Sequence, residues 1–83
     1  MKILYFAWLR QQTGIDTEEV EAPGEVTDVA GLLDWLKTRG PGHAAALADL
    51  SAVRVAVNQE FAELDAEVAP GDEVAIFPPM TGG

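Results

Sequence analysis

Apolar residues along this 83-residue chain follow two different periods, and the switches between them mark the elements. Lys2 to Trp8 (Lys-Ile-Leu-Tyr-Phe-Ala-Trp) is dense in β-forming side chains and predicts a mostly buried strand over 2–8. Leu9 to Gly14 predicts a short helical turn closed by its glycine. Ile15 to Ala22 predicts a more polar strand with Asp16, Glu18 and Glu21 outward, ended by Pro23-Gly24. Charges of that kind suit a sheet edge. The period then lengthens. Val29, Leu32, Leu33 and Leu36 fall at i, i+3, i+4 and i+7, which predicts a helix over 28–39 with one apolar stripe. Thr27 is placed to cap it, Asp28 to occupy its first turn, and Lys37 and Arg39 to sit at the negative end of its dipole. Gly40-Pro41 stops it. Gly31 costs about 1 kcal/mol relative to alanine inside a helix, which points to a close approach of the sheet there.

The second half is shorter-grained. His43 to Leu50 is alanine-rich and predicts a second short helix with Leu47 and Leu50 inward. Val53, Val55 and Val57 alternate with Arg54 and Ala56, the pattern of a half-buried strand. Asn58-Gln59 predicts a turn, Glu60-Phe61 a brief strand, and Pro70-Gly71-Asp72 a tight turn before a last strand over 73–77. The order β-β-α-β-β lays one main helix across one face of a small mixed sheet. That is an α+β fold of the β-grasp, or ubiquitin-like, type. One domain spans 1–77 and an extended tail spans 78–83. The first and last strands are expected side by side and parallel at the sheet centre, with Trp35 partly buried beside the helix stripe.

Composition narrows the chemistry. The chain has no cysteine, so disulfides, zinc-thiolate sites and side-chain thiol or persulfide chemistry are excluded. That composition fits a reducing cytoplasm. Fourteen acidic against five basic residues give a formal charge of −9, which argues against nucleic acid and anionic membranes and favours an electropositive protein partner. No apolar run approaches the ~20 residues that span a bilayer. The first residues lack a small-residue cleavage site and predict a strand, not a signal peptide. His43, the only histidine, predicts a solvated or capping role. Ser51, the only serine, lacks a nucleophile elbow, and no phosphate-binding loop is present. Asp65 with Glu67, and Asp72 with Glu73, read as solvated carboxylates in turns. No metal cluster and no internal catalytic constellation is expected.

What remains is the end of the sequence, Phe77-Pro-Pro-Met-Thr-Gly-Gly83. A terminal Gly-Gly has no side chain to obstruct a narrow channel and accepts nearly any φ/ψ. It suits a protein whose own terminal carboxylate reacts; the plain alternative is a frayed end. The run Gly71-Asp-Glu-Val-Ala-Ile-Phe-Pro-Pro-Met-Thr-Gly-Gly83, with Val55-Ala-Val-Asn-Gln59 and Ile3-Leu-Tyr-Phe-Ala7 followed by Arg10 and Gly14, resembles the small subunit of molybdopterin synthase.

The resemblance implies a sulfur carrier. A ubiquitin-activating-like adenylyltransferase would use ATP to adenylate Gly83, and sulfur would displace AMP to leave a thiocarboxylate. The tail would enter the large synthase subunit, in a complex of two small and two large subunits, and give its sulfur to precursor Z. The carrier itself would bind no cofactor and contribute no catalytic side chain. Gly83 and Gly82 are the reacting end. Phe6, Phe61, Phe77, Pro78, Pro79, Met80 and Thr81 are the expected partner-binding residues, the three phenylalanines because matching positions in the family form an apolar patch near the tail. Thiamine-pathway carriers resemble a shorter chain without the Pro41–Leu50 stretch and without Phe-Pro-Pro. Protein modifiers often carry arginine where Thr81 stands. These readings stay open, as do a role in tRNA thiolation and a β-grasp binding module whose Gly-Gly is incidental.

Overall fold

A computed structural model describes residues 1–79. Five strands form one mixed sheet in the order β2-β1-β5-β3-β4. The strands are β1 (Lys2–Tyr5), β2 (Thr17–Glu19), β3 (Arg54–Val57), β4 (Glu60–Ala62) and β5 (Glu73–Phe77). Three helices accompany them: α1 (Trp8–Thr13), α2 (Val29–Lys37) and α3 (Pro41–Ala46), with a single 3₁₀ turn at Leu50–Ala52. The first and last strands pair in parallel, Ile3 beside Val74 and Tyr5 beside Ile76, and β5 is central. Ile3, Tyr5, Val55, Val74 and Ile76 point to one face and are buried with Val29, Leu32, Leu33 and Leu36 of α2. Trp35 packs partly buried against this core. The predicted β-grasp layering is therefore the observed one.

The local signals differ from expectation where a backbone special or a buried polar group intervenes. The first strand stops at Tyr5, not Trp8, because Ala7 turns the chain with φ 55° and ψ −131°, and Trp8 already belongs to α1. Gly14 closes α1 as expected, in the left-handed region at φ 75°. The second strand is only three residues long. Asp28, not Thr27, is the N-cap of α2; its carboxylate accepts from Gly31 N at 2.7 Å. Gly31 answers to that cap and not to the sheet, since a Cβ there would stand 3.0 Å from Asp28 Oδ1. The first two amides of α2 are also satisfied: Val29 N donates to Ala66 O and Ala30 N to Leu64 O, both at 2.9 Å. The long β4–β5 connection thus closes the helix end, leaving no orphan donor in that turn. The second short helix begins two residues earlier than expected, at Pro41, whose missing N–H is harmless in a first turn.

The β3–β4 hairpin closes through Asn58 (φ 52°) and Gln59 (φ 71°), two consecutive left-handed residues. Such a turn matches the twist of the flanking strands but favours glycine at its second position. Asn58 is further held by accepting from Glu73 N at 3.0 Å and donating to Asp72 at 3.1 Å. Gln59 has no such compensation among the described bonds. Gln59→Gly is expected to raise stability by about 0.5–1 kcal/mol, read as a higher urea midpoint at unchanged slope. A lower midpoint would mean the glutamine side chain contributes contacts that outweigh its backbone strain.

Glu18 and His43 reverse their expected placement. In β2, Glu18 pairs with inward-facing Ile3, so its side chain points under the sheet and is only 11% exposed. Its carboxylate accepts from Tyr5 Oη at 2.7 Å and Arg39 Nη2 at 3.0 Å, and meets His43 Nε2 at 2.9 Å. His43 is buried and stands edge-on to the Tyr5 ring. This cluster ties β1, β2, α3 and Arg39, two residues beyond α2, together. Burial alone would raise the Glu18 pKa, but the bonds from His43 and Tyr5 and the Arg39 charge outweigh it, so the net shift is downward from 4.5. The stability that Glu18 contributes is therefore full above pH 4.5 and is lost as pH falls through its folded value. Glu18→Gln is expected to flatten the acid limb of stability against pH, measured as urea midpoints from neutral to acid. Burial, then the bond to Glu18, pushes the Tyr5 phenol far up, so it stays a neutral donor.

Candidate functional site

The outward face of the sheet carries the aromatic residues named from the sequence. Strand alternation decides this: with Val53, Val55, Val74 and Ile76 inward, Arg54, Ala56, Ala75 and Phe77 face out. Ala56 lies opposite both Ala75 on β5 and Phe61 on β4. Alanine at both positions leaves the centre of the face low, and the rings of Phe61 and Phe77 meet across β3 with centroids 5.9 Å apart. Phe61 is 84% exposed and Phe6 45%, values that exclude a core role for either; Phe77 is half-buried. Phe6 follows the last β1–β5 register pair, and its N–H donates to Ile76 O at 3.1 Å, which sets it alongside Phe77.

A groove of about 660 Å³ runs from this face over the β4 edge, lined by Phe61, Phe77, Pro79, Leu33, Leu50 and Leu64 among others. Leu64 is itself 47% exposed, so the apolar rim extends past the two phenylalanines. Pro78 and Pro79 leave β5 at the end where Phe6, Phe77 and Arg54 converge, and both are half-buried. Met80, Thr81, Gly82 and Gly83 lie outside the described residues. An exposed apolar face with a groove, at the root of a proline-stiffened segment, is suited to hold a protein partner. Among the described residues no group of three or more His, Cys, Asp or Glu could hold a metal ion. No helix among them is long and apolar enough to cross a membrane.

Two features of this surface were not read from the sequence. Leu64, in the loop after β4, gave no periodic signal, and the groove exists only because that loop folds back over the start of α2. The same loop places Glu63 on the groove wall.

The model of the ThiS family matches residues 3–83, which takes in all five strands except Lys2 at the start of β1, and the final Gly-Gly. The chain belongs to the ThiS family. Over its whole length it is 39% identical to the molybdopterin synthase sulfur carrier subunit of Escherichia coli K12, covering 99% of that protein. The Homo sapiens protein of the same description is 37% identical over the whole chain and 93% of the relative. Among solved structures, a putative molybdopterin converting factor subunit 1 from Pyrococcus furiosus superposes with a TM-score of 0.78, at 36% identity over 95% of each chain. The resemblance drawn from the Phe-Pro-Pro-x-Thr-Gly-Gly ending is thus borne out along the full ThiS-family domain.

Proposed function

We propose that this ThiS-family chain is the sulfur carrier subunit of a molybdopterin synthase, acting through the carboxylate of Gly83. The observation that carries the reading is end-to-end similarity to carriers of that description, reaching through the last glycine. The chemistry fits the composition. With no cysteine in the chain, transferable sulfur has no side chain to ride on. A carboxylate is a poor electrophile, so an activating adenylyltransferase first joins it to AMP from ATP, releasing pyrophosphate. A sulfur donor then displaces AMP and leaves a terminal thiocarboxylate. Its sulfur is an exposed, soft nucleophile, and the acids and bases for its transfer come from the large subunit. Precursor Z is the acceptor in this reading, ATP serves only the activating enzyme, and the carrier works in the cytoplasm as the smaller half of a two-plus-two assembly.

The folded domain supplies affinity that the tail lacks. Fixing backbone costs about 1–2 kcal/mol per residue, and glycine the most. Pro78 and Pro79 lower that cost for the first part of the segment. The rest comes from the Phe6, Phe61 and Phe77 face. Phe61→Arg is expected to weaken association with the large subunit about tenfold or more with a nearly unchanged melting temperature, because an 84% exposed ring contributes to docking and little to folding. A large fall in melting temperature would return Phe61 to the fold.

The reading is tested by intact mass after incubation with ATP, an activating enzyme and a sulfur source. The expected product is heavier by the difference between sulfur and oxygen and reverts on addition of large subunit and acceptor. An unchanged mass under conditions that modify a known carrier overturns it.

A further inference from the structure

Cations are scarce on this chain, and most of them are already spoken for. Arg10 pairs with Asp16 at 3.3 Å, Arg39 with Glu18 at 3.0 Å and Lys37 with Asp34 at 3.7 Å, while the α-amino group of Met1 faces Glu19 at 3.7 Å. Lys2 and Arg54 remain, neither with a carboxylate within ion-pair distance among the described residues, and of the two only Arg54 lines the groove described above. Its guanidinium is nonetheless held. Nη1 donates to Ser51 O at 3.1 Å and Val53 O at 3.0 Å, while Nη2 and Nε have no partner among the described residues. The location is specific too. Arg54 is exposed, stands directly opposite Phe77 in the β3–β5 register, and is the only cation lining the groove that Phe61 and Pro79 also line.

A guanidinium anchored along one edge presents its other donors in a fixed fork, and that fork fits a carboxylate in bidentate geometry. Because the anchoring is complete before any partner arrives, little side-chain entropy is lost on contact. The chain as a whole carries a formal charge of −9 and draws a basic partner face, so a reversed charge at the aromatic anchor fixes which way round the two surfaces meet. We propose that Arg54 is a specificity-determining contact: it receives a carboxylate side chain of the synthase large subunit at the root of the tail. The inference rests on the carrier reading above.

The experiment measures association of the full-length chain with purified large subunit at two ionic strengths. Arg54→Met keeps the aliphatic stem beside Phe77 and removes the fork; it is expected to bind about tenfold more weakly. Arg54→Lys keeps charge without the fork and falls between wild type and Arg54→Met. Arg54→Glu is expected to lose about a hundredfold, to keep its melting temperature within a few degrees, and to regain affinity against a large subunit bearing lysine at the matching acid. The gap between wild type and Arg54→Met narrows at higher salt. Binding of Arg54→Met and Arg54→Glu within twofold of wild type overturns the inference and leaves the carrier reading standing. Failure of the wild-type chain to bind the large subunit at all overturns both.

Discussion

A chain lacking Gly83, or extended by one alanine beyond it, is expected to deliver no measurable sulfur while keeping its fold and its affinity for the large subunit. The displacement is one residue, about 3.5 Å, and acyl activation and transfer tolerate far less misplacement of the reacting carbon. The loss should exceed about a hundredfold in the transfer rate. Fold and docking are expected to survive because every strand, α2 and the aromatic face lie within residues 1–77. Gly82→Val is expected to impair transfer more mildly, since a β-branched side chain thickens the segment and restricts its φ/ψ without moving the terminal atom along the chain. Single-turnover transfer from each variant to the large subunit and acceptor, beside circular dichroism and a binding isotherm, separates these effects. Normal delivery by the deletion variant would remove the terminal carboxylate from the mechanism. A β-grasp binding module would then be the better description.

The fold was legible where burial imposes a period. Leu32, Leu33 and Leu36 announce α2 because one helix face must be apolar over more than two turns, and Val53, Val55 and Val57 announce β3 by strict alternation. The parallel pairing of the first and last strands followed from topology, since one crossing helix between two hairpins leaves them as neighbours. What failed to show was parity and backbone handedness. The charge pattern places Glu18 outward together with Asp16, yet its pairing with Ile3 turns it in. The available signal was Val20, buried at 4% on the same parity two residues on. His43 then acquires its partner only through that inversion, and no local pattern links residues 25 apart. Ala7 carries no glycine signature for its positive φ, so the early end of β1 was invisible.

The exposed face shows the same division. Phe61 and Phe77 were singled out from the family resemblance, but their contact depends on Ala56 and Ala75 standing low between and beside them, which is a fact of register. Arg54 was legible only as the polar half of an alternation. That it lines the groove with no carboxylate partner among the described residues emerges only from the fold.

The Pro41–Leu50 stretch was the least readable part of the chain, and it yields the second large expectation: Gly42→Ala should destabilise the fold by about 1–3 kcal/mol. Nothing in its sequence context marks Gly42 as special beyond a turn-like Pro-Gly pair. In the fold, α3 lies across α1 so closely that a Cβ on Gly42 would collide with the carbonyl oxygen of Gln12 and stand 3.3 Å from Gln12 C and Thr13 Cα. All three are backbone atoms, so no rotamer change can make room. Relief requires α3 to lift from α1, and that movement strains the His43–Glu18 contact and the burial of Ala46 and Leu47, which are 1% and 0% exposed. Alanine's better helix propensity returns up to about 1 kcal/mol, which is why the net cost stays moderate. For a domain whose whole stability is about 5–15 kcal/mol, the loss should lower the melting temperature by roughly 5–20 °C. Docking to the large subunit below that temperature should be nearly unchanged, because α1 and α3 lie on the buried face of the sheet and the aromatic patch on the other. An unaltered melting temperature for Gly42→Ala would show that the α1–α3 contact yields without cost. Weakened docking at full stability would instead tie this helix pair to the partner surface.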